Sequence, residues 1–116
     1  MQRKFRLTRS TDFKRVRRFG KSYAHPLVVL IAQPSDQPHV RVGIAAGKTV
    51  GLAVKRNRAK RLLRAAMQRL LPDLAPGSDL LLIARAPLVV ASLEETAAAL
   101  TVLLRRAGLI APPDAH

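Results

Sequence analysis

The chain of 116 residues contains no cysteine and no tryptophan, and only seven acidic side chains. Without cysteine there is no disulfide and no thiolate chemistry, a composition that fits a reducing compartment. The longest apolar stretch, Leu27 to Ala32, is far too short to span a bilayer. The opening Met1-Gln2-Arg3-Lys4-Phe5-Arg6 is basic with no apolar run behind it, so no secretory signal is expected and the reading is cytoplasmic. His25, His39 and His116 lack metal-ligand spacing. Asp12, Asp36, Asp73 and Asp79 are scattered where turns and caps are expected. Nothing here assembles a nuclease site made of protein side chains. If a reaction is involved, another molecule carries it.

What the chain has is positive charge. The net charge is +14 and the pI near 11.8, which suggest a nucleic acid or an anionic surface as partner. Residues 1–72 hold 18 Lys and Arg against Asp12 and Asp36, a balance of +16. Residues 73–116 hold Arg85, Arg105 and Arg106 against five acids, a balance of −2. One part of the molecule therefore faces an anion, and the other mainly completes the fold.

The charge concentrates in residues 48 to 71. At roughly 100° per residue, Ala59, Leu62, Leu63, Ala66, Met67, Leu70 and Leu71 fall on one stripe, the pattern of a half-buried helix. Arg56, Lys60 and Arg64 climb one edge of that stripe, with Asn57 and Arg61 beside them. Six of the ten residues 55–64 are basic and none is acidic. Like charges four apart cost a few tenths of a kcal/mol each, a repulsion that a polyanion relieves. The alternatives are a merely solvated face or a helix lying on a membrane. The second suffers because residues 52–71 lack the Trp or Phe of a membrane interface.

Around this helix the remaining elements follow in order. Residues 1–9 read as a flexible basic arm, with Leu7 the first plausible anchor. Ser10 or Thr11 can cap a short helix that Gly20 ends. Pro26 splits off an edge piece near residues 22–24, and Leu27 to Ala32 reads as a buried strand. After the turn Pro34-Ser35-Asp36-Gln37-Pro38, the alternating Val40, Val42, Ile44 and Ala46 form a second strand. These two strands are expected to pair as an antiparallel hairpin. Pro72 and Pro76-Gly77 stop the long helix, and Leu80 to Ala84 is another apolar strand. Ser92, with Glu94 and Glu95 behind it, starts a last helix that runs to Gly108. The tail 111–116 is expected to be disordered. The sum is one α+β domain over 1–110, with no repeat or linker.

The aromatics Phe5, Phe13, Phe19 and Tyr23 all lie in the first quarter, among cations. Such a ring can stack an unpaired base while Arg or Lys holds its phosphate. It can equally anchor the first helix to the sheet, and for Phe13 both readings stand. Gly43-Ile44-Ala45-Ala46-Gly47-Lys48-Thr49 looks like a nucleotide-binding loop, but three residues separate its glycines where four are required. Lys48, Thr49 and the amides that follow could still hold a backbone phosphate.

Arg41-Val42-Gly43-Ile44, leading through Lys48 and Gly51 into Lys55-Arg56-Asn57-Arg58-Ala59-Lys60-Arg61-Leu62-Leu63-Arg64, resembles the signature of the bacterial ribonuclease P protein subunit. Asp12-Phe13 with Val16 and Gly20, Leu82-Ile83-Ala84-Arg85 and Leu93-Glu94-Glu95-Thr96 extend the likeness over about residues 7 to 109. The resemblance implies a two-layer α-β-β-β-α-β-α fold, a mainly antiparallel sheet and a left-handed βαβ crossover, against the general right-handed rule. It implies a subunit of an endoribonuclease holoenzyme that removes the 5′ leader from precursor tRNA, with catalysis by a large RNA and Mg2+ held mainly by that RNA. Its partners would be that RNA and the precursor tRNA, with no membrane and no protein partner. Arg56, Asn57, Arg58, Lys60, Arg61 and Arg64 would face RNA. Phe13, Arg17, Ile31, Lys48 and Arg85 would belong to a cleft for the single-stranded leader. The family often has aromatics where Arg17 stands and near Ile31, so leader binding here is expected to lean on charge more than on stacking. A ribosomal-type RNA-binding protein without a processing role is the alternative that composition leaves open.

Overall fold

The computed structural model describes residues 1–111. In order, the main elements are α1 (Ser10–Phe19), β1 (Lys21–Ala24), β2 (Val28–Pro34), β3 (Arg41–Ala45), α2 (Ala53–Leu70), β4 (Ser78–Ala84) and α3 (Leu93–Arg106). Short 3-10 turns at Arg3–Phe5, Lys48–Val50, Leu71–Asp73 and Ala86–Val90 lie between or before them. This is the α-β-β-β-α-β-α order that the resemblance implied.

The strands form one sheet in the order β1-β2-β4-β3. β1 pairs antiparallel with β2, and β2 with β4, while β3 runs parallel to β4. The expected hairpin between β2 and β3 is therefore absent, because β4 lies between them. The reason is in the residues. Leu80 to Ala84 is apolar on both faces, so β4 needs a strand on either side. β3, interrupted by Arg41 and Gly43, is suited to an edge. Its parallel partner requires a crossover, and α2 supplies it.

Uninterrupted apolar strands send side chains to both faces, and both faces are covered. Val28, Leu30, Val42, Leu80 and Leu82 meet Ala59, Leu63, Ala66 and Met67 of α2 and Leu100, Leu103 and Leu104 of α3 in the main core. Ile31 and Leu81 point the other way, into a second cluster with Leu7 and Val16. α2 and α3 form one layer on the sheet, and α1 adds a partial third on the opposite face.

Within residues 1–9, Leu7 is the anchor that the sequence suggested. Leu7 is buried and its N–H donates to the Val42 carbonyl at 2.9 Å, beside a parallel bridge between Arg6 and Val42. Leu7 is apolar and needs cover, and the open edge of β3 needs a partner. The helix ends follow local chemistry. Gly51, at φ 133°, lets the chain turn into α2, and Ser92 and Glu95 form a reciprocal capping box on α3. Of the tail expected to be disordered, residues 112–116 lie outside the described residues.

Candidate nucleic-acid interface

Burial of Ala59, Leu63, Ala66 and Met67 fixes which way α2 faces. Asn57, Lys60, Arg61 and Arg64, spaced i, i+3, i+4, i+7, line an open groove of about 480 Å³ together with Val54. No acidic residue occurs anywhere on α2. The other two expected contacts diverge from this group. Arg58 leaves the helix toward the Ala86–Val90 turn, where its Nε donates to the Val89 carbonyl at 2.7 Å. Arg56 is half-buried, and its Nε is enclosed with no acceptor among the described residues. Four of the six residues therefore line one groove, Arg58 extends the surface around the helix start, and Arg56 is half-buried with only its Nε enclosed.

α1 crosses the other face of the sheet over one row of paired residues, Gly43, Leu81 and Ile31. A Cβ on Gly43 would stand 2.7 Å from the Phe13 ring, and one on Gly20 would stand 2.6 Å from Ile31 Cγ2. Glycines at both ends of α1 allow this close approach. The next row, Ala45, Ile83 and Val29, is only half-buried and forms an apolar shelf beside the helix. Arg15 leaves α1 on the side away from the shelf, as its bonds to Asp79 show. Arg17, about 200° further round, emerges on the shelf side. Lys48 and Arg85 are exposed just beyond the shelf ends of β3 and β4, with Arg85 Nη1 donating to the His25 carbonyl at 3.3 Å.

The geometry at Phe13 is compatible with both of its readings. Its ring packs on Gly43 within the smaller cluster, and it is half-buried rather than sealed. It also lines a cavity of about 190 Å³ at the β3 edge, shared with Leu7, Val42, Ile44 and Arg64. Arg64 thus borders both this cavity and the groove on α2. Ile31 is different. At 6% exposure it lies beneath α1 and supports the floor, so it has no surface for a direct contact. Its apolar type in a fully apolar strand is the reason.

One group of residues was not legible as a site. Asp79 is 1% exposed within β4, rather than in a turn or cap. Arg41 Nε and Nη2 donate to its two oxygens at 2.9 and 2.8 Å, and Arg15 Nη2 donates at 2.7 Å. Arg15 also reaches Asp12 at 3.2 Å and donates to Gln33. Burial pushes the Asp79 carboxyl up, but the hydrogen bonds from Arg41 and Arg15 outweigh it and hold it below the ordinary range. Hydrogen bonds to Asp79 outweigh desolvation for both arginines and raise them. The available signal was an acid opening an otherwise apolar strand, which demands a cationic partner. This network clamps α1 to the row Arg41, Asp79 and Gln33, on the side away from the shelf.

Among the described residues, no three His, Asp or Glu side chains gather to hold a metal ion. Asp12 and Asp79, the carboxylates beside α1, are both taken by Arg15. That donor set does not fit Mg2+.

A four-stranded mixed sheet with a basic crossover helix and a half-open opposite face can be compared with known proteins. The ribonuclease P family model matches residues 1–108. The chain belongs to the ribonuclease P protein family. It is 41% identical over 109 residues to the ribonuclease P protein component of Herpetosiphon aurantiacus, covering 94% of this chain and 89% of that one. With the component from Chloroflexus aggregans it shares 39% identity, covering 98% and 85%. The RNase P protein of Staphylococcus aureus superimposes with a TM-score of 0.81 at 27% identity, covering 92% and 98%. That of Thermotoga maritima gives 0.78 at 27%, covering 87% and 96%. As a member of that family, the chain is a ribonuclease P protein component. Among the described residues, none of its helices is long and apolar enough to cross a membrane.

Proposed function

We propose that this chain binds the catalytic RNA through the groove on α2 and holds the single-stranded 5′ leader of precursor tRNA in the cleft beside α1, in the cytoplasm. The observation that carries the proposal is the continuity of an acid-free cationic groove with the Phe13 cavity, through Arg64. Arg61 and Arg64 offer forked donors to phosphates, and Asn57 can hold a base edge or a loop. Arg17, Lys48 and Arg85 hold leader phosphates around the shelf, with Phe13 contributing a ring face. Holding the leader sets the scissile phosphate against the RNA, which supplies the Mg2+ and the reactive groups. Precursor is preferred over mature tRNA because only the precursor has a leader to hold.

Reconstitution tests this. The protein is mixed with a bacterial ribonuclease P RNA and precursor tRNA at low magnesium, where the RNA alone cleaves poorly. Restored cleavage at the mature 5′ end is expected, and the protein alone should cleave nothing. Cleavage by the isolated protein, or no stimulation of the RNA, would overturn the proposal.

A further inference from the structure

The corner where α2 begins carries apolar surface that no core explains. Leu52 is 83% exposed, Val54 78% and Val90 86%. Single exposed aliphatic residues are ordinary, but these three lie where the start of α2 meets the Ala86–Val90 turn. Leu52 is the residue before α2, and Val54 lies in its first turn. Arg58, one turn after Val54, is tied to the carbonyl of Val89, the residue before Val90. Val54 is also a wall of the groove formed by Asn57, Lys60, Arg61 and Arg64.

We infer that Leu52, Val54 and Val90 form an apolar contact for unpaired bases of the catalytic RNA, at the open end of the cationic groove. This rests on the RNA-binding role proposed above and adds a non-electrostatic component to it. The cations around the patch, Lys55, Arg58 and Arg61 with no acid on α2, require an anionic partner. Among anionic partners, single-stranded nucleic acid presents flat apolar faces beside its phosphates at about the spacing of a helix turn. A lipid surface would need a broad apolar stripe along α2, and that stripe is already buried in the core.

Phosphate contacts and apolar contacts differ in their response to salt, and the test uses that difference. The variant Leu52→Ser/Val54→Thr/Val90→Thr removes the patch while leaving every charge in place. Serine is a good residue before a helix, so α2 keeps or gains stability. Binding to a bacterial ribonuclease P RNA transcript is measured from low to high salt. The triple variant should bind about tenfold more weakly at every salt concentration, with the slope of log affinity against log salt unchanged. Arg61→Ala should instead make that slope shallower. Chemical probing should show unpaired bases protected by the wild-type protein and released by the triple variant. The inference falls if the triple variant binds like wild type, or if its loss appears as a change of slope. It also falls if only binding to anionic phospholipid vesicles is lost. Failure of the wild-type protein to bind the RNA at all would instead remove the proposed function.

Discussion

Gly43 and Phe13 form a pair whose geometry can be tested from both sides. A methyl group on Gly43 would meet the ring at 2.7 Å. Gly43→Ala should therefore displace Phe13, cost about 1–3 kcal/mol of stability by overpacking, and weaken precursor binding more than mature-tRNA binding. Phe13→Ala should give the same selectivity loss, about 1–3 kcal/mol in precursor affinity if a base stacks there. Equal losses for both tRNA forms would assign the ring to packing alone. Asp79 makes a different prediction, in pH. Its carboxyl is held below its ordinary value because bonds from Arg41 and Arg15 outweigh burial. Its stabilising contribution is thus fully present above the unfolded carboxylate pKa, about 3.9, and lost as pH falls through the lower folded value. Urea titrations of wild type and Asp79→Asn should show the two converging below about pH 4. At neutral pH the variant should lose stability near the lower end of ~3–5 kcal/mol, because both arginines reach water.

At the scale of elements, the proposed function makes α2 and α3 separable, the first in binding and the second in stability. Arg61→Ala should leave helicity unchanged, weaken RNA binding, and reduce the salt slope by about 0.7–0.9 if one phosphate contact is lost. Arg58→Ala should also weaken RNA binding with little effect on the fold, although its Nε bond to Val89 is lost. Ser92→Ala breaks the capping box and should lower thermal stability by about 1 kcal/mol with RNA affinity intact. The elements themselves were legible because their signals are local. The apolar stripe defined α2, Pro26 isolated β1, and Ser92 and Glu95 marked the start of α3. Pairing was not legible, since β2 and β3 are consecutive and each looks complete without β4. Recognising β4 as central needed weight on its apolarity from Leu80 to Ala84, which demands cover on both faces and both edges. The site divided in the same way. The helical spacing put Arg56, Lys60 and Arg64 on one edge with Asn57 and Arg61 beside them, and all but Arg56 share the groove, while Asp79, Arg15 and Arg41 come together across 64 and 38 residues of sequence.

For the whole molecule, the imbalance of +16 in residues 1–72 against −2 in the remainder becomes spatial. α1 and α2 carry their cations on opposite faces of the sheet, so a nucleic acid touching both must wrap the β3 edge. That edge is where Arg6 bridges Val42 and the Leu7 amide meets the Val42 carbonyl. The opposite edge, β1, is only four residues long and carries Lys21, two features that discourage strand addition. β3 is one residue longer and its Arg41 is paired with Asp79, so the leading segment is its main cover. A chain trimmed to start at Thr8 would expose an unguarded ladder to any extended polypeptide, including its twin. Light scattering should then reveal oligomers joined strand to strand, an assembly the intact leading segment forestalls by occupying the berth first.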